Sequence, residues 1–214
     1  MKFSLFSKVP FEVSDPIALI ECYCFQSDFY ANYDLKNYKC RKIENVNLIG
    51  ARISGKLLKE CCKEIVEKPD NLRLFENKQL DKFLELSEKA RNEWVTEITI
   101  KVIDKLLRIK GIGLSKATKV LHTLYPKIIP MIDDALQNQY KNEINAHWTE
   151  KQSDQILIDY YNNLKYDDNW QNLNIIFTKI SNNLPALTKV RVFDIIWWSY
   201  LKSKKLKINW YTIK

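Results

Sequence analysis

Apolar residues recur at helical spacing along almost the whole chain. A first helix is expected from the Asp15-Pro16 boundary, with Pro16 suited to its first turn and Ile17, Ile20 and Cys24 spaced for one face. Ser27 to Asn47 breaks the pattern: it is aromatic and irregular, holding Phe29, Tyr30, Tyr33 and Tyr38. Further helices are predicted near 55–67, 78–91, 94–108, 114–124, 150–164, 170–181 and 188–201. Thr149-x-x-Gln152 reads as a capping box, and Thr188 as the cap of a last helix striped by Val190, Phe193, Trp197 and Tyr200. Repeats and low-complexity tracts are absent, and scarce Gly and Pro imply short connections. The fold class predicted is all-α.

The chain has only four glycines, and two of them stand one residue apart in Leu106-Leu107-Arg108-Ile109-Lys110-Gly111-Ile112-Gly113-Leu114-Ser115-Lys116-Ala117. A Gly-x-Gly between two helical stretches lets the backbone turn sharply and leaves unobstructed N–H groups at the head of the second helix, where a phosphate can sit. The second helix, 114–124, carries Leu114, Ala117, Val120, Leu121 and Leu124 on one stripe and Lys116, Lys119 and His122 off it. This is a helix-hairpin-helix, spanning about 105–124. Lys110, Gly111, Ile112, Gly113, Leu114, Ser115, Lys116 and Lys119 are the expected contacts to a phosphate backbone, made without regard to base sequence.

Eighteen residues after Ser115, past a helix and the link Pro130-Met131-Ile132, comes Asp133. Hairpin, helix, Pro-containing link and aspartate in this register resemble the HhH-GPD superfamily of DNA glycosylases, to which endonuclease III and the adenine mismatch glycosylase belong. The resemblance covers about Leu106 to Leu136. It implies two helical subdomains with a cleft between them: 50–130 as a helical barrel ending in the hairpin, and 1–49 together with 131–214 as the other half. It implies that Asp133 stabilises the oxocarbenium-like sugar as a flipped-out base departs and directs the attacking water. It also implies a monovalent cation on hairpin main-chain carbonyls.

Two departures from the family pattern refine this. Members that also cleave the strand carry a nucleophilic lysine where this chain has Ser115, so water is the expected nucleophile, with Lys116 the candidate if an amine is used. Relatives with an iron–sulfur cluster carry four cysteines after the aspartate, whereas Cys22, Cys24, Cys40, Cys61 and Cys62 all precede it, so no cluster is expected. The cysteines read as buried free thiols, and His122 and His147 lack a ligand spacing for zinc. Of the Asp133-Asp134 pair, Asp134 is assigned to capping the following helix and Asp133 to catalysis. Tyr23, Phe25, Phe29, Tyr30, Tyr33, Trp197 and Trp198 are the candidates for the base pocket.

Charge agrees with a polyanionic partner. The net charge is +8, and residues 97–127 concentrate Lys101, Lys105, Arg108, Lys110, Lys116, Lys119 and Lys127 against Glu97 and Asp104. Met1 to Lys8 lacks the sustained apolar core of a signal peptide, and Val192 to Trp198 is too short for a membrane span and contains Asp194. The expectation is therefore a monomeric intracellular protein, cytoplasmic or nuclear, acting on double-stranded DNA as an N-glycosylase. The alternatives are a helix-hairpin-helix module that anchors DNA without catalysis, and an RNA-binding or structural helical protein. An aspartate near phosphates would serve neither.

Overall fold

Asp15 opens the first helix: its Oδ1 accepts the amides of Ile17 and Ala18 at 3.1 and 3.0 Å, two donors that a helix start leaves orphaned. Helix α1 then runs Pro16–Gln26. The computed structural model describes residues 1–6, 10–26, 30–35, 38, 53, 55–66, 73–76 and 78–206. A single π-helical turn, Tyr30–Asp34, falls within the aromatic stretch. Helix α2, Gly55–Val66, turns Cys61 and Ile65 into the core, where burial pushes the Cys61 thiol up to about 11. Cys24 is also buried, Cys22 and Cys62 are half-buried, and Cys40 lies outside the described residues.

The helices expected at 78–91 and 94–108 are divided elsewhere. Helix α3 is Leu80–Glu85, and α4, Glu88–Ile98, passes through a π-turn at Thr99–Ile103 into α5, Asp104–Leu107. The break falls at Leu86, which is extended at φ −60° and ψ 157°, because Ser87 caps α4 by accepting the Ala90 amide at 3.3 Å. Arg91 fixes the break by donating to the Leu86 carbonyl at 2.6 Å. Farther on, the π-turn takes up one extra residue per turn, and Val95, Ile98, Val102, Ile103 and Leu106 all stay buried.

Helix α6, Leu114–Leu124, has the predicted bounds, and its stripe of Leu114, Ala117, Val120 and Leu121 is at most 1 % exposed. It is followed by α7 (Asp134–Glu143), a 3₁₀ turn (Glu150–Gln152), α8 (Ser153–Lys165), α9 (Asp167–Ile180) and α10 (Lys189–Leu206). The Thr149/Gln152 capping box forms, and Thr188 Oγ1 accepts the Arg191 amide at 3.2 Å at the head of α10.

The described residues are thus mainly helical, with one small sheet among them. Lys2–Phe3 pairs antiparallel with Phe11–Glu12, strands of two residues that are too short to register as a period. This N-terminal hairpin is pinned to α9: Asn169 accepts the Ser4 amide at 2.9 Å and donates to the Ser4 carbonyl at 2.6 Å, and Asn172 donates to the Lys2 carbonyl at 2.7 Å. Helices α1 and α9 both pack on α10, which buries Val190, Val192, Phe193, Ile195 and Ile196. Among the described residues no helix is long and apolar enough to cross a membrane.

Candidate functional site

The turn between α5 and α6 explains its two glycines differently. Gly111 sits at φ +90°, where a side chain is strained, although a Cβ there would meet only Leu57 at an ordinary 3.8 Å. Gly111→Ala should therefore cost about 1–2 kcal/mol through the backbone alone, readable as a lower midpoint in denaturant with an unchanged slope. Gly113 is the N-cap of α6 and has extended backbone, φ −99° and ψ 178°, that any residue can adopt. Its requirement is space: a Cβ would lie 3.0 Å from Glu150 Oε1 and 3.3 Å from Oε2.

That carboxylate alters the expected picture of unobstructed amides. Glu150 Oε1 accepts the Leu114 amide at 3.1 Å, so a carboxylate stands at the positive end of α6 where a phosphate was expected. Lys116 is also committed, its ammonium donating to the Gly111 carbonyl at 2.8 Å. A cation seated on that carbonyl would have to displace a tethered ammonium. In the basic block Lys101 pairs with Glu97, while Arg108, Lys110 and Lys127 stand exposed.

Asp133 caps α7 itself. Its Oδ1 accepts the Leu136 amide at 2.9 Å, which corrects the assignment of Asp134, an exposed first-turn residue. Burial pushes the Asp133 carboxyl upward, Asp134 adds to that rise, and the Leu136 amide and the Lys119 ammonium pull against it. The link leading to it is held group by group. The Met131 amide donates to Asp194 Oδ2 at 3.0 Å, the Ile132 amide to Thr118 Oγ1 at 3.1 Å, and Gln137 Nε2 to the Ile132 carbonyl at 3.1 Å. Thr118 belongs to α6, so the hairpin helix and the aspartate are mechanically joined. A half-buried carboxylate fixed in this way can stabilise positive charge or orient a water without first reorganising.

Beneath the link lies a buried polar network that the sequence reading did not assign. Arg191 meets Asp34 in a two-point contact, Nε to Oδ1 at 2.8 Å and Nη2 to Oδ2 at 3.1 Å, and its Nη2 also donates to the Tyr23 hydroxyl. Asp194 Oδ1 accepts the Tyr160 hydroxyl at 2.8 Å. Burial raises the Asp194 carboxyl to about 7, against the pull of Arg191, the Met131 amide and Tyr160. The available signal was an aspartate within the apolar run 192–198.

Because its folded value lies above the ordinary 3.8, Asp194 favours folding most when protonated, and this contribution fades as pH rises from about 4 to 7. Asp194→Asn removes the titration. Relative to the natural protein it should gain on the order of 2–4 kcal/mol between pH 5 and pH 8, seen as several degrees of added melting temperature at the higher pH.

The aromatic candidates divide. Tyr23, Tyr30 and Trp197 are core residues, Trp198 packs edge-on against Tyr23, and Phe25 is 83 % exposed. None of these five lines the cavity beside the C-terminal end of α6, and Phe29 lies outside the described residues. Tyr23, Trp197 and Trp198 spend their apolar bulk on packing α1 and the N-terminal strands against α10. Tyr33 alone reaches the cavity, which encloses about 640 Å³ at the C-terminal end of α6 and is bordered by neither Asp133 nor the hairpin glycines. Among the described residues no three His, Cys, Asp or Glu side chains converge as a metal site. No family profile, curated protein or solved structure gives a significant match to the chain.

Proposed function

We propose that this chain is a DNA N-glycosylase of the helix-hairpin-helix type, hydrolysing the glycosidic bond of a modified or mispaired base turned out of duplex DNA. The observation that carries the reading is Asp133: a half-buried carboxylate with an elevated pKa, tied through Thr118 to the helix that follows the Gly111 turn. A DNA-anchoring module needs the hairpin and the lysines. It does not need an immobilised carboxylate beside Lys119, where it opposes phosphate binding.

In this reading the amides at the head of α6, with Lys110 and Lys119, hold the backbone flanking the target nucleotide. Asp133 faces the anomeric carbon, stabilises the cationic sugar as the base leaves, and orients or deprotonates water. Ser115 offers no amine, and the Lys116 ammonium is engaged at Gly111 in the free protein. The two-subdomain division and an intracellular, monomeric state acting on DNA belong to the same proposal. Neither an iron–sulfur cluster nor a hairpin cation enters its chemistry.

The test is incubation with a panel of duplexes, each carrying one modified or mismatched base, followed by hot alkali. Strand breaks appearing only after alkali, for at least one lesion, are expected. Duplex binding with no base release across the panel would reduce the protein to a DNA anchor. Borohydride should leave no protein trapped on the reactive duplex. Trapping that disappears in Lys116→Ala would instead assign that amine as nucleophile.

A further inference from the structure

We propose that the cavity at the C-terminal end of α6 is a nucleotide site, separate from Asp133, which takes an amino-bearing nucleobase inside and its phosphate at the rim. The cavity's volume, about 640 Å³, falls within the roughly 300–1,000 Å³ typical of small-molecule sites. Two aromatic residues line it, Phe75 and Tyr125, stacked on each other with centroids 4.2 Å apart and planes at 15°, so a ligand ring would meet the outside of that pair.

The interior polar groups are acceptors. His122 lines the cavity and is 3 % exposed, and burial holds its ring neutral, with a pKa lowered to about 3. Because Nδ1 meets the Ile129 carbonyl it must be the protonated nitrogen, which leaves Nε2 as an acceptor. Asp34, 6 % exposed, adds a carboxylate whose charge is balanced by Arg191 and whose remaining lone pairs border the same space. The buried hydroxyls of the lining, Tyr33 and Thr123, already donate to the Lys119 carbonyl at 2.6 and 2.8 Å, so the acceptors of His122 and Asp34 call for a ligand edge rich in N–H groups, as on adenine or cytosine. Hypoxanthine and uracil place a carbonyl there and would leave buried acceptors unpaired.

The rim carries the opposite chemistry. Lys127 is an exposed lysine of the lining, whereas the Lys78 ammonium lies over the Trp94 ring, 5.7 Å from its centroid, and Lys189 is paired with Asp81 at 2.9 Å. Donor edge inward and anion outward is the polarity of a nucleotide. The same chemistry is offered by a free nucleoside monophosphate and by a nucleotide displaced from a strand.

The experiment is calorimetric titration of the full chain at low salt with AMP, CMP, IMP and UMP. At least one amino-bearing nucleotide should bind at least tenfold more tightly than its deaminated partner, AMP against IMP or CMP against UMP. Lys127→Glu, a change at an exposed position that leaves the core untouched, should weaken that binding about tenfold. Single-stranded oligo-dA or oligo-dC that displaces the monophosphate would identify a strand as the source, and failure to displace it would identify the free nucleotide. Equal binding of amino and deaminated forms, indifference to Lys127→Glu, or no heat with any nucleotide would overturn the assignment. Binding of AMP or CMP by a protein that releases no base from any duplex would keep this site and remove the glycosylase reading.

Discussion

Asp133→Asn should lose base release by a factor of about 10² to 10⁴ on whichever duplex the natural protein attacks, while folding normally and binding that duplex at least as tightly. The substitution is unusually clean here, because asparagine is as good an N-cap as aspartate and can keep accepting the Leu136 amide. One acceptor oxygen becomes an NH2 donor and the charge is lost. Removing it takes a negative group away from the approaching phosphates and leaves Lys119 without its opposing carboxylate, both of which favour binding. Asp133→Ala would blur the result by costing about 1 kcal/mol in helix capping. Since burial already raises the Asp133 carboxyl, and the reaction needs it ionised, the acid limb of the rate profile should lie above the ordinary carboxylate range. Full activity in Asp133→Asn, with melting temperature unchanged, would remove the catalytic aspartate from the account.

What the sequence made legible is what depends on neighbours within a turn or two. The bounds of α6 follow from Gly113 and from the stripe Leu114, Ala117, Val120 and Leu121, and the capping box at Thr149 needs only four residues. The break at Leu86 was missed because the apolar period runs on across it, through Phe83 and Leu84 into Trp94 and Val95. The side chains that hold the site were hidden for a different reason. Arg191 and Asp34 lie 157 residues apart, Asp194 and Met131 63, and Glu150 and Leu114 36. No periodicity or local motif encodes pairings at those separations. Aromatic residues misled as pocket candidates for a related reason: helical spacing shows which side chains share a face, and in α1 and α10 that face is the core.

Glu150→Gln should bind plain duplex about tenfold more tightly than the natural protein at low salt, with the gap closing as salt rises. The physical reason is competition. The head of α6 offers a small set of amides and a partial positive charge, and in the free protein a carboxylate already uses them. A phosphate approaching Leu114 must displace Glu150 and pass its charge, so part of the favourable contact is offset before binding begins. Glutamine keeps an oxygen that can accept the Leu114 amide, so the cap is preserved and stability should fall by less than about 1 kcal/mol. Gly113→Val separates the contributions. Its Cβ would crowd the same amides from within 3.0 Å of Glu150 Oε1, so it should weaken duplex binding even though it pushes the carboxylate aside. If Glu150→Gln alters melting temperature but leaves the binding isotherm unchanged, Glu150 acts only as a helix cap and the phosphates are held elsewhere on the basic segment 97–127. If neither protein binds duplex at any salt concentration, the hairpin itself is not a nucleic-acid contact. The tenfold gain with a preserved fold is the outcome that would place the DNA backbone at the amide of Leu114.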